Sequence, residues 1–200
     1  TTGINLGVNL PATETEASSD GEPAQLSVEY YDNLGKSENI LIEFTPTLPA
    51  SGASNEWTMT MMDSAQGGAV IGEYLLGFDD ARASGGTLMS VSSLSGGAYD
   101  AATGSVIVNV AGGPMEINIG QIGASNGLTQ LSDSFAPLSI SKDGSPVGNM
   151  VSVEVDPTFT LGDEHVVEVT GESARVDLDL VRHGPDMRRD HVDPSALVDG

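Results

Sequence analysis

Short runs of alternating apolar and polar residues, broken every few positions by Gly, Pro, Asp or Asn, limit the fold of this chain more than any other feature. In the first run Ile4, Leu6, Val8 and Leu10 share one side and Asn5, Gly7 and Asn9 the other. Leu26, Val28 and Tyr30 alternate with Ser27 and Glu29, and Ile40, Ile42 and Phe44 with Leu41, Glu43 and Thr45. Trp57, Met59 and Met61 oppose Thr58, Thr60 and Met62; Met115, Ile117 and Ile119 oppose Glu116, Asn118 and Gly120. Ser105–Ala111 carries Val106, Val108 and Val110 in the same rhythm. Successive side chains of a strand point to opposite faces, so a period of two predicts half-buried strands. Ala69–Phe78, Thr87–Leu94 and Leu138–Ser141 read as further strands, and Met150–Asp156 repeats the alternation through Val151, Val153 and Val155. The expectation is an all-β fold, an antiparallel β-barrel or sandwich with a partial second β region.

The segments between these runs have turn chemistry. Asp32-Asn33-Leu34-Gly35 pairs an Asx-turn aspartate with a glycine for the left-handed position, which predicts a hairpin over Ala24–Thr45. Gly112-Gly113-Pro114 predicts a second tight bend, and Lys142–Gly148 a third turn, with Gly144 for positive φ and Pro146 to fix φ. Pro11–Pro23, Pro46–Asn55, Asp79–Gly86, Gly96–Gly104 and Gln121–Asn126 read as loops. The 25 glycines and an aromatic content of 4% fit many short strands with frequent turns.

Charge and composition exclude several function classes. A formal net charge of −22 disfavours nucleic acid and anionic membrane as partners, since both need Lys and Arg. The plain reading is a solvated acidic surface. With no cysteine there is no disulfide frame and no thiolate chemistry. No apolar run approaches the roughly 18 residues of a membrane helix. The chain opens TTGINLGVNLPA, without a signal peptide or initiator Met, and is expected to be a fragment or processed chain.

Candidate chemical sites have bland counterparts. Met59, Met61, Met62 and Met89 could bind soft copper, but methionine is a common core filler, and core packing is the expectation. Trp57 is expected as a core anchor. Asp79-Asp80 suggests calcium, yet the closing ligands of a calcium loop are missing and a solvated turn is expected. Arg182-His183-Gly184 after a strand is similar to the histidine phosphatase signature, but only 16 residues follow Gly184, too few for the α/β frame that supplies the partners. His183, Asp190 and His191 could hold zinc adventitiously. No catalytic, cofactor or metal residues are assigned.

A family resemblance sharpens this outline. Val28-Glu29-Tyr30-Tyr31-Asp32-Asn33-Leu34-Gly35-Lys36-Ser37 with the strand after it, then Phe44, a loop and Trp57, resembles the hairpin pattern of bacterial flagellar hook proteins. Gly127-Leu128-Thr129-Gln130, the Ser139–Gly144 run and Pro146–Asp156 are similar to the place where the hook outer domain ends and the chain returns to the inner one. The resemblance covers roughly residues 1–156 and is lost in the more basic remainder, which holds all three histidines.

The resemblance implies a hook outer β domain at residues 1–136 and a return segment toward the inner domain at 137–181. Strands are expected within that segment at His165–Thr170 and Arg175–Val181, with a disordered tail at 182–200. It implies a structural, non-enzymatic subunit of the hook, the flexible joint that carries motor torque to the filament. Its implied partners are identical subunits in a helical tube, with hook cap and hook–filament junction proteins. Its implied location is outside the cell, reached through the flagellum's own export apparatus, and without the family's terminal helices the piece is expected to be monomeric. Alternatives are another axial protein such as a rod protein, or an unrelated β-sandwich adhesin or carbohydrate-binding module.

Overall fold

A computed structural model describes residues 1–144. The described residues form ten strands in two five-stranded sheets. The second sheet is a plain meander of β2 (Ala24–Tyr31), β3 (Ser37–Pro46), β4 (Glu56–Asp63), β5 (Ala69–Phe78) and β6 (Leu88–Ser95), every neighbour antiparallel. Its order follows the sequence because each connection is short enough to return directly.

The first sheet is built around β1 (Gly3–Pro11). One edge of β1 takes β10 (Ala136–Lys142) antiparallel. The other edge is shared end to end: Gly3–Asn5 pairs in parallel with β8 (Gly113–Asn118), and Val8–Pro11 in parallel with β9 (Leu128–Leu131). β7 (Ser105–Val110) flanks β8 antiparallel. The expectation of an all-β fold holds, while its antiparallel order is broken on one edge of β1. A parallel pair needs a long crossover, and the whole meander between β1 and β8 supplies it.

At the handover from β8 to β9 the backbone is tightly folded. Leu128 N–H donates to Ile119 O (2.9 Å) and Val8 N–H to Gly127 O (3.2 Å). A Cβ on Gly127, whose φ is 114°, would lie 2.6 Å from Gly120 Cα and collide with Ile119 O. Only glycine fits there.

The inner faces interlock in one apolar core. Ile4, Leu6, Val8, Leu10, Val28, Tyr30, Ile40, Ile42, Phe44, Trp57, Met59, Met61, Met115, Ile117 and Ile119 are all buried, on the faces that alternation assigned. Thr87 bridges Thr129 and Gln130 N–H donates to Gly86 O, so the sandwich is stitched along one side.

Two local expectations are corrected, and one strand is added. Gly113 and Pro114 are the first residues of β8, and the bend is the two residues Ala111-Gly112, because Val110 pairs directly with Gly113. Pro11–Pro23 is not a free loop. Ala12–Thr15 makes a 3-10 turn, and Ala17 N–H to Gly52 O and Ser54 N–H to Thr15 O tie it to the loop before β4. Gly127–Leu131, given no strand by its alternation, contains β9, whose Leu128, Thr129 and Gln130 are all buried. The expectations at Met150–Asp156, His165–Thr170, Arg175–Val181, Arg182-His183-Gly184, Asp190 and His191 lie outside the described residues.

Candidate functional site: the paired chain ends and the sheet-to-sheet latch

Two polar clusters organise the molecule. The first joins the two ends of the described chain. Antiparallel pairing sets Ile4 opposite Lys142, so β1 begins where β10 ends. Asp143 clamps the join: its Oδ1 accepts from Thr2 N–H (2.6 Å) and Gly3 N–H (2.8 Å), and its Oδ2 from the Thr2 hydroxyl. The Thr2 hydroxyl and these backbone donors hold its carboxyl below the usual range. Thr1 N donates to Tyr31 O (2.8 Å), and its hydroxyl accepts from Tyr31 N–H (3.0 Å).

Lys142 secures the same end. Its Nζ donates to Glu29 Oε2 at 2.8 Å and sits 4.4 Å from the centroid of the Tyr31 ring. Lys142, then the Ser37 and Tyr31 hydroxyls, hold the Glu29 carboxyl down to about 2. β1, β10 and the end of β2 are thus joined at one pole.

The second cluster is a latch between sheets. Asp63 has 0% exposure at the end of β4. Its Oδ1 accepts from the Tyr30 hydroxyl (2.8 Å) and Ala65 N–H (3.0 Å); its Oδ2 accepts from Gln66 Nε2 (3.0 Å) and from Ala111 N–H (2.9 Å) in the other sheet's β7–β8 bend. Burial alone would push its carboxyl up, but these donors together bring it below the ordinary value. Gln66 extends the latch by donating to Asn109 O (2.8 Å). Asp63 shares strand parity with Trp57, Met59 and Met61, and an acid at a core-facing position is the signal in the sequence that could have revealed it.

The residues singled out in the sequence are not gathered into one site. Met59 and Met61 are core residues, Met62 lies on the opposite face, and Met89 is exposed. Trp57 is fully buried, and its Nε1 donates to Gln130 Oε1 (3.2 Å), while Gln130 Nε2 donates to Asn55 Oδ1 (2.9 Å). Asp79 organises its own turn, accepting from Ala81 N–H (2.8 Å) and the Ser84 hydroxyl (2.6 Å). Among the described residues no group of three or more His, Cys, Asp or Glu could hold a metal ion.

The limits set by the paired strands coincide with those of a known domain. The family model described as the flagellar basal body protein FlaE D2 domain matches residues 5–145, from within β1 to just past Asp143. The chain belongs to this family. Among solved structures, the chain is similar to the flagellar hook protein FlgE2 of Helicobacter pylori, with a TM-score of 0.41 and 17% identity over 62% of this chain and 25% of that one. The match spans about a quarter of that hook protein's length. Comparison with curated proteins gives no significant match. Within the D2 domain, the clamp at Asp143 closes the matched region and the Asp63 latch sits inside it.

Proposed function

We propose that this chain is the outer β domain of a flagellar hook subunit, a structural element of the joint that passes motor torque to the filament. The observation that carries the reading is the match of residues 5–145 to the D2 family, on a fold whose β1 and β10 are paired at one pole. A domain attached through two adjacent strands moves as one body on its stem, which suits a tube whose subunits must shift against each other without unfolding. On this reading residues 137–181 lead back toward an inner domain, and β10 is the first part of that return, still bonded to β1.

The role is mechanical and assigns no catalytic residue. Its partners are identical subunits, with cap and junction proteins at the ends of the tube, and its route out of the cell is the flagellar export apparatus. The test is immunoelectron microscopy with antibody raised against this chain on intact flagella of the source bacterium. Label confined to the segment between cell envelope and filament is expected. Label on the rod, on the general cell surface, or nowhere on the flagellum would refute the assignment.

A further inference from the structure

Asn126-Gly127 is the one place in the sequence where asparagine precedes glycine; the other eight asparagines are followed by Leu, Ile, Val, Glu or Met. The side-chain carbonyl carbon of asparagine is open to attack by the amide nitrogen of the next residue. A side chain on that residue shields the nitrogen, and glycine has none. The structure leaves this pair free to react. Asn126 is exposed, at the end of the loop between β8 and β9. Among the described residues Gly127 N–H has no backbone acceptor, although Gly127 O accepts from Val8 N–H. By contrast, the side chains of Asn5, Asn9, Asn33, Asn55 and Asn118 are each held by a hydrogen bond.

We infer that Asn126-Gly127 is a self-modifying site, which in the folded domain loses ammonia, becomes chiefly isoaspartate and thereby loosens β9 from β1. Gly127 nitrogen gives its proton to water and bonds to Asn126 Cγ. The bond from Cγ to the side-chain nitrogen breaks, and that nitrogen takes up a proton and leaves as ammonia. Water then opens the resulting five-membered ring. Attack at the Asn126 main-chain carbonyl carbon breaks its bond to Gly127 nitrogen and routes the chain through the former side chain; attack at Cγ gives ordinary aspartate. One water is consumed, one ammonia is released, and a carboxylate replaces a neutral amide.

The isoaspartyl form has one more methylene in its main chain, at a place with no slack. The path is pinned on either side, by Gly123 N–H to Leu88 O (2.8 Å) and by Leu128 N–H to Ile119 O (2.9 Å). Between these points the backbone is pressed on Gly120: a Cβ there would lie 2.5 Å from Asn126 O and 3.1 Å from Gly127 Cα. The added atom displaces Gly127 from this contact. Val8 N–H to Gly127 O, at 3.2 Å the longest of the bonds around the handover, goes with it. Fresh and aged copies of the domain then differ in charge and in how firmly β9 is held, whatever the domain assembles into.

The test holds the 200-residue chain folded in warm, mildly alkaline buffer, beside the same chain in urea and beside N126Q, whose longer side chain closes a ring far more slowly. Mass spectrometry of the tryptic peptide 83–142, which has no internal Lys or Arg, locates the change, and methyl transfer by an isoaspartyl methyltransferase counts the isoaspartate. Asn126 in the folded chain should convert within several-fold of its rate in urea, while Asn109 and Asn118 of the same peptide stay unchanged. Hydrogen exchange at Val8 and Leu128 should be several-fold faster in the aged chain than in the fresh one, and unaltered in aged N126Q. Conversion confined to the urea sample would overturn the site. Conversion in the folded chain with Val8 and Leu128 still exchanging at the fresh rate would overturn the effect on β9.

Discussion

Replacing Asp63 by alanine should be among the most damaging single changes in this domain. The substitution removes one carboxylate and strands the Tyr30 hydroxyl, Ala111 N–H, Gln66 Nε2 and Ala65 N–H at once. A buried donor left without a partner costs about 1–3 kcal/mol. Gln66 retains Asn109 O and Ala65 lies at the edge, so the main cost falls on Tyr30 and Ala111, and about 3–5 kcal/mol is expected. Against a typical domain stability of about 5–15 kcal/mol this is a large fraction. Tyr30→Phe removes one donor and leaves the carboxylate three others, so about 1 kcal/mol is expected. Urea unfolding followed by the emission of Trp57, the sole and fully buried tryptophan, reads both. A pH dependence accompanies the loss. The folded carboxyl is held below its ordinary value, so its stabilisation is fully present above the unfolded pKa, about 3.9, and is lost as pH falls through the folded one. Asp63→Asn should therefore flatten the acid limb of the stability curve. An Asp63→Ala midpoint shift no larger than that of Tyr30→Phe, with the acid limb unchanged in Asp63→Asn, would refute the latch.

Other expectations follow from single contacts. Tyr74 is fully buried and its hydroxyl has no hydrogen-bond partner among the described residues, so Tyr74→Phe should raise the thermal midpoint or leave it unchanged, by calorimetry. Gly127→Ala forces a side chain into the Ile119–Gly120 backbone at a positive φ, and should lose about 2–4 kcal/mol in urea unfolding. Lys142→Met removes the largest contribution to the low Glu29 pKa, so the Glu29 carboxyl signal should titrate higher by NMR while the melting temperature barely moves. Asp143→Ala should speed hydrogen exchange at Thr2 and Gly3 with no matching change at the β3–β4 ladder.

Alternation revealed which face of each strand is buried and the turn residues revealed the β2–β3 hairpin, because both are local properties. Asp32 and Gly35 do what their types suggest: Asp32 caps the turn, and Gly35 takes φ 79°. Partner choice is a different matter. Nothing in the period of β1 tells that one of its edges is divided between β8 and β9 in parallel, since pairing across a hundred residues depends on the finished packing. β9 is hidden for a related reason: both of its faces are covered, so Thr129 and Gln130 are as buried as Leu128 and no alternation is left to read. Asn9 sits opposite the apolar parity of β1 yet is buried, because it accepts from Leu131 N–H (3.0 Å) and donates to Asp133 O (2.9 Å) in the bend before β10. Asp143 reads in the sequence only as part of a turn; its role as a clamp depends on Thr2 and Gly3 at the far end of the chain.

The clamp also governs how the domain sits in a chain's path. A Cβ built on Gly144 would lie 3.1 Å from Thr1 N, so the backbone at residue 144 has come back to the place where residue 1 began. A walker along the backbone would traverse ten strands and gain almost no ground. The whole body is a detour, and cutting it out and splicing its two feet with a short bridge would leave whatever lies on either side at its original spacing.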